Sequence, residues 1–140
     1  MNKFLFYLLS FTWGLPMTLI GCIVSLALLI TGHKPKKHGY TWYFEVGDYW
    51  GGVELGVCFL TDKTSDMDTK NHEHGHAIQN CFWGPLMPFV ICIPSAIRYW
   101  YRELKYHRKG KNPPTEYDDV WFEGDATKRG TRLIESLGEK

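Results

Sequence analysis

The chain has no Cys-x-x-Cys pair among its four cysteines, Cys22, Cys58, Cys81 and Cys92, and three of the four lie in or beside apolar segments. That pattern speaks against a disulfide framework and for small buried hydrophobes in a reducing compartment. The chain also lacks an excess of charge, since 16 basic and 15 acidic residues leave a formal net charge of +1. No long-range field therefore draws it to nucleic acid or to an acidic partner. A small-x-small exit is missing after the first apolar run, and that run is too long for a signal peptide, so an uncleaved anchor is expected. A length of 140 residues makes one domain. Its two apolar runs leave only a small remainder for a water-soluble core.

What is present is sharply divided. Residues 4–31 are almost uninterruptedly apolar, enough to cross a hydrocarbon layer of about 30 Å, which takes about 20 helical residues. Gly14 and Pro16 fall inside this run. They are expected to kink the helix rather than end it, because a bilayer leaves the backbone little alternative. Lys34, Lys36 and Lys37 follow the run, against Lys3 and the α-amine before it, so the positive-inside rule puts the downstream part in the cytoplasm. Tyr40, Trp42, Phe44 and Val46 alternate with smaller or polar residues, and Val53, Leu55, Val57 and Phe59 do the same. With Gly47 to Gly52 as the turn, this predicts a β-hairpin. Its second strand reads as core packing, or as an edge onto which an extended peptide pairs.

Residues 61–69 form a polar loop holding Thr64, Ser65, Asp66 and Asp68, from which a helix should run to about Phe82. The second apolar run, Cys81 to Ile97, carries Pro85, Pro88 and Pro94 and sits at the short limit of a span. The stretch behind it, Arg98 to Lys111, mixes cations with aromatic rings as segments among lipid headgroups do; RNA binding is the lesser reading. After Pro113-Pro114, Thr115 or Asp118 can cap a final helix ending around Leu137, with Gly124 and Gly130 as weak points.

The chemistry is concentrated in His72-Glu73-His74-Gly75-His76. On a helix, His72 and His76 stand one turn apart on the same face, about 6 Å along the axis. At that spacing both imidazoles can bind one Zn²⁺, with Glu73 beside them as general base for the attacking water. His74 points about 200° away from His72 and is expected at the surface. Gln79 and Asn80 read equally as supports for a ligand histidine or as caps. A catalytic zinc site needs a third protein ligand. Glu123 is the leading candidate, because an unpaired carboxylate between Trp121 and Ala126 would be costly. Asp125 and Asp119 remain alternatives, while His107 lies among like charges.

The series His72-Glu73-x-Gly75-His76-x-x-Gln79, Gly84-Pro85, Ile93-Pro94-Ser95 and Trp121-x-Glu123-x-x-Ala126 resembles a family of small bacterial membrane-associated HExGH proteins. In layout it is similar to the gluzincin zinc metallopeptidases, and the likeness covers roughly residues 50–130. The resemblance implies His72, His76 and Glu123 as zinc ligands and Glu73 as base, in a protein of the bacterial inner membrane. Gly124 departs from it, and so does Thr127, which stands where gluzincins often have an acid.

The expected fold is an α+β membrane protein. It consists of an N-terminal transmembrane anchor (1–32) and a small zincin-like domain (33–140) with a hairpin, an HExxH helix, a membrane-associated apolar segment (81–101) and a C-terminal helix. The apolar segment must be re-entrant or surface-lying, because a straight second span would separate His76 from Glu123. The expected function is zinc-dependent hydrolysis of a peptide or protein substrate at a lipid membrane. The alternative is a non-catalytic membrane interaction protein with a structural or degenerate zinc site.

Overall fold

A computed structural model describes residues 1–138. It is a mixed α+β arrangement of five α-helices and one four-stranded sheet. The first apolar run is two helices, α1 (Lys3–Phe11) and α2 (Leu15–Ile30), bent by 91° at the break. Pro16 therefore starts a new helix instead of kinking one. At the break, Asn80 Nδ2 donates to the freed Gly14 O at 3.2 Å, and the Trp13 side chain ties the break to the end of α3 by donating Nε1–H to Phe82 O at 3.2 Å. Once a neighbouring helix supplies those partners, the constraint that would have kept the run continuous no longer applies.

The predicted hairpin is also replaced. Strands β1 (Lys36–His38), β2 (Thr41–Glu45), β3 (Gly52–Leu55) and β4 (Cys58–Thr61) lie in the order β1-β2-β4-β3. β2 runs parallel to β4, with Trp42 opposite Cys58, and β3 returns antiparallel on β4, with Leu55 opposite Cys58. Gly56, at φ +78°, breaks what reads as one alternating strand. The loop before β3 is tied down by Asp62, whose carboxylate accepts from Trp50 N at 2.9 Å and Gly51 N at 2.7 Å. It thus carries the chain past β4's place to the sheet edge. The break also reverses the facing in β3, so that Val53 is exposed and Glu54 is buried.

The motif helix α3 (Met67–Trp83) starts where the capping residues predict. The Asp66 side chain accepts from Thr69 N, and the helix stops at Gly84, φ +51°. A 3-10 turn (Gly84–Leu86) and a π-turn (Pro88–Cys92) then lead into α4 (Ile93–Lys105), with a bend of 115°. Among the described residues no single helix is long and apolar enough to cross a membrane. Two bent pairs reach that length and composition together, α1 with α2 and residues 67–86 with 88–109. Arg98 and Arg102, expected on lipid phosphates, turn inward. Arg98 donates to Glu116 O and Tyr117 O, and Arg102 donates to Thr115 O.

The last helix, α5 (Trp121–Leu137), is unbroken at Gly124 and Gly130. Its approach is capped at Glu116, not at Thr115 or Asp118, by a reciprocal pairing with Asp119. Both α3 and α5 give up side chains where they cross. A Cβ on Gly75 would overlap Ala126 O, and one on Gly130 would overlap Asn71 O. Small residues at these points let the two backbones approach closely, and that approach delivers Glu123 to the histidines. Phe6, Tyr40, Val57, Ala77 and Cys81 form one apolar cluster, and Met17, Met87, Ile91 and Phe122 another.

His74 is the clearest reversal within the motif. It is fully buried, ringed by Phe6, Tyr40 and His38 at centroid distances of 5.9–6.1 Å. Helix α1 packs against α3 and its Phe6 ring meets His74, leaving no solvent face at that position. Burial pushes the imidazole down to about 3, so it is neutral.

Candidate metal centre

His72 and His76 rise from successive turns of α3 and meet Glu123 from the first turn of α5. His72 Nε2 and His76 Nε2 lie 3.0 Å apart, and each is 3.1 Å from Glu123 Oε2. The three residues could hold a metal ion. A tetrahedral ion with bonds of about 2.0–2.1 Å sets its ligand atoms about 3.3 Å apart, so the triangle needs little expansion.

The polarity of the triangle follows from its surroundings. Gln79 Nε2 donates to Phe122 O at 2.8 Å and to Asp125 Oδ2 at 2.9 Å. With both amide protons engaged, Gln79 Oε1 must accept from His76 Nδ1 at 2.8 Å. His76 Nε2 then presents a lone pair towards the carboxylate. His72 Nδ1 has its partner in Thr127 Oγ1 at 2.8 Å. The threonine hydroxyl can accept or donate there; if His72 Nδ1–H is the donor, three acceptors face one another and a cation or a proton must reconcile them. Glu123 is fully buried, and its second oxygen, Oε1, lies within no hydrogen-bond geometry of the described residues, with Ser95 and Tyr117 as its polar neighbours. Burial raises its pKa, but His72 and His76 outweigh that and hold the carboxyl well below the usual carboxylate range.

The competing acids are engaged elsewhere. Asp125 accepts from Gln79 and from Arg129 Nε at 2.6 Å, forming the outer end of a chain Asp125–Gln79–His76. Asp119 closes the cap with Glu116, and His107 lies beside Glu103 at the far end of α4. Asn80 binds the α1–α2 break and plays no part in the triangle. Thr127 supplies the hydrogen-bond partner of His72 Nδ1. It stands one turn beyond Glu123, and that spacing was a readable signal.

Glu73 is buried against the edge strand, its carboxylate on Gly52, where a Cβ would come within 2.6 Å of it. Burial first, then the neighbouring charges of Glu54 and Glu123, push it up to about 8, against the pull of His76. Glu54 is a second acid that the alternation placed outward. Its Oε1 accepts from Gly56 N, Oε2 has no partner among the described residues, and burial pushes it up to about 7. Tyr117 was not singled out by any spacing. Its ring lies 6.1 Å from His72, its hydroxyl 3.5 Å from Ser95 Oγ, and burial with the charge of Glu123 pushes it up to about 12. It is therefore an O–H donor at neutral pH. All four cysteines are free.

No family model, curated protein or solved structure matches the chain.

Proposed function

We propose that the chain is a membrane-associated zinc metallopeptidase. The observation that carries this reading is the trio of converging ligand atoms, His72 Nε2, His76 Nε2 and Glu123 Oε2, with Glu73 next to His72 on the same helix. Two imidazole nitrogens and a carboxylate form a three-ligand set of the kind that suits zinc. When bound there, zinc supplies the Lewis acidity that makes water a nucleophile near neutral pH and polarises a scissile carbonyl.

The remaining steps belong to the chain's own groups. Glu73 takes the proton of the attacking water and passes it to the leaving amine. A carboxyl raised by burial is a stronger base than an exposed one, and the dication's positive charge favours its ionised form. Tyr117, protonated and beside His72, is the hydroxyl donor suited to a developing oxyanion. The Asp125–Gln79–His76 chain and Thr127 hold the imidazoles in the required tautomer.

One observation favours a structural metal instead. The ligand side chains are 15%, 7% and 0% exposed, a closed environment more usual for structural sites. Glu73→Gln separates the two readings. For a peptidase, metal content stays near one zinc per chain while turnover of a peptide library falls by about 10²–10⁴. If the purified protein holds zinc and cleaves no peptide before the substitution is made, the structural reading replaces the catalytic one.

A further inference from the structure

Three helices of this chain wear their apolar faces outward. On α4 the exposed residues Ile93, Ile97, Trp100, Tyr101 and Leu104 follow the helical repeat, while Arg98 and Arg102 face the protein. On α2 the stripe is Leu15, Leu19, Ile23, Leu26 and Ile30; on α1 it is Phe4, Leu8 and Phe11. In a water-facing helix these polarities would be reversed. Uncovered apolar stripes on three helices that touch in series, through the turns after α3, mark an interaction surface.

The opposite faces argue against a span by the bent α1–α2 pair. From Met17 to Ser25, α2 lies along the β3–β4 end of the sheet. Gly21 admits Leu55 O where a Cβ would be, Ser25 Oγ donates to Cys58 Sγ at 3.2 Å, and Met17 and Thr18 are buried. Placing α2 across a bilayer would drag that sheet into hydrocarbon, including β3, whose outer edge has no strand partner among the described residues. Open sheet edges are not tolerated there, because their N–H and C=O groups find no partner.

We propose that the protein is monotopic: α1, α2 and α4 dip their outer stripes into one leaflet of an anionic bilayer, and no segment crosses it. Charge complementarity identifies the occupant as lipid and not a second copy. Exposed Lys34 and Lys37 follow α2, and exposed Lys109 and Lys111 follow α4, so that each long stripe ends in cations at the level of lipid phosphates. Trp13, Trp100 and Tyr101 supply interfacial rings. The inference rests on the membrane part of the reading above and is independent of peptidase activity.

Full-length protein is added to preformed vesicles of phosphatidylcholine and phosphatidylglycerol, and Lys3→Cys and Lys34→Cys, each made in a chain whose free Cys22, Cys58, Cys81 and Cys92 are replaced by serine, are treated with a membrane-impermeant maleimide. Both positions flank the α1–α2 pair, and in a monotopic protein both react fully without detergent. Protection of either one until detergent is added means a span and overturns the inference, while membrane association itself stands. Protein that stays with the supernatant, including as a dimer covering these faces, overturns the inference and the membrane reading together. Ile97→Asp, on a side chain 65% exposed, should weaken vesicle partitioning at least tenfold with unchanged melting and metal content; unchanged partitioning removes α4 from the surface and sinks the proposal. Lys109→Gln with Lys111→Gln should weaken binding to the anionic vesicles by roughly tenfold or more.

Discussion

Gln79 Oε1 lies 2.8 Å from His76 Nδ1 because both protons of the same amide are taken by Phe122 O and Asp125. A single side chain thereby joins α3 to α5 and decides which nitrogen of His76 faces Glu123. Gln79→Leu removes the acceptor without adding bulk. The expected result is a metal affinity lower by about 10–100-fold, read by competition with a chelating dye, with helical content retained. An unchanged affinity would mean that the tautomer is set elsewhere.

Gly75→Ala and Gly130→Ala each push a methyl into a backbone carbonyl, Ala126 O and Asn71 O respectively. Overpacking of this kind costs about 1–3 kcal/mol or more, because backbone cannot rotate away as a side chain can. Both variants should melt lower and hold zinc more weakly, since separating α3 from α5 withdraws Glu123. Thermal melts with metal analysis check this; a variant that melts lower with undiminished zinc affinity would dissociate the crossing from the site.

Gly52→Ala places its methyl within 2.6 Å of the Glu73 carboxylate. Zinc content should be unaffected, because neither imidazole nor Glu123 is disturbed. Peptide cleavage should fall towards that of Glu73→Gln. Equal activity in Gly52→Ala and the parent would show that Glu73 has freedom the packing denies.

Glu54 makes a pH prediction. Burial raises its pKa from 4.5 in the unfolded chain to about 7 in the fold. The folded state therefore holds the proton more tightly, so the stabilisation is full below pH 4.5 and is lost as pH rises through about 7. Glu54→Gln stays neutral throughout. Relative to this variant, the parent should lose stability by about 1.4 kcal/mol per pH unit across that window, about 3 kcal/mol in all. Denaturant melts at several pH values measure the difference, and parallel curves would place Glu54 in contact with solvent.

The local chemistry of α3 was legible from residues alone. Asp66 caps it, His72 and His76 share a face through the helical repeat, and the acid at Glu123 stood out because a carboxylate between apolar neighbours demands a partner. Intervals of three and four residues are imposed by helix geometry whatever surrounds them. The strands were read less well. Alternation identified the stretches 40–46 and 53–59 but not their pairing, because periodicity carries no information about which neighbour fills the other edge. The turn at Gly56 and the tether at Asp62 decided that β4 lies between β2 and β3.

Burial was decided by tertiary structure wherever a helix lost its solvent side. His74 occupies the outward position of an isolated helix, yet α1 covers it; Arg98 and Arg102 belong to a basic run, yet loop carbonyls draw them in. Sequence determined which residues share a face, since that depends only on the chain's own repeat. What each face meets depended on segments far along the chain, including the Pro16 break that folds α1 back across α3.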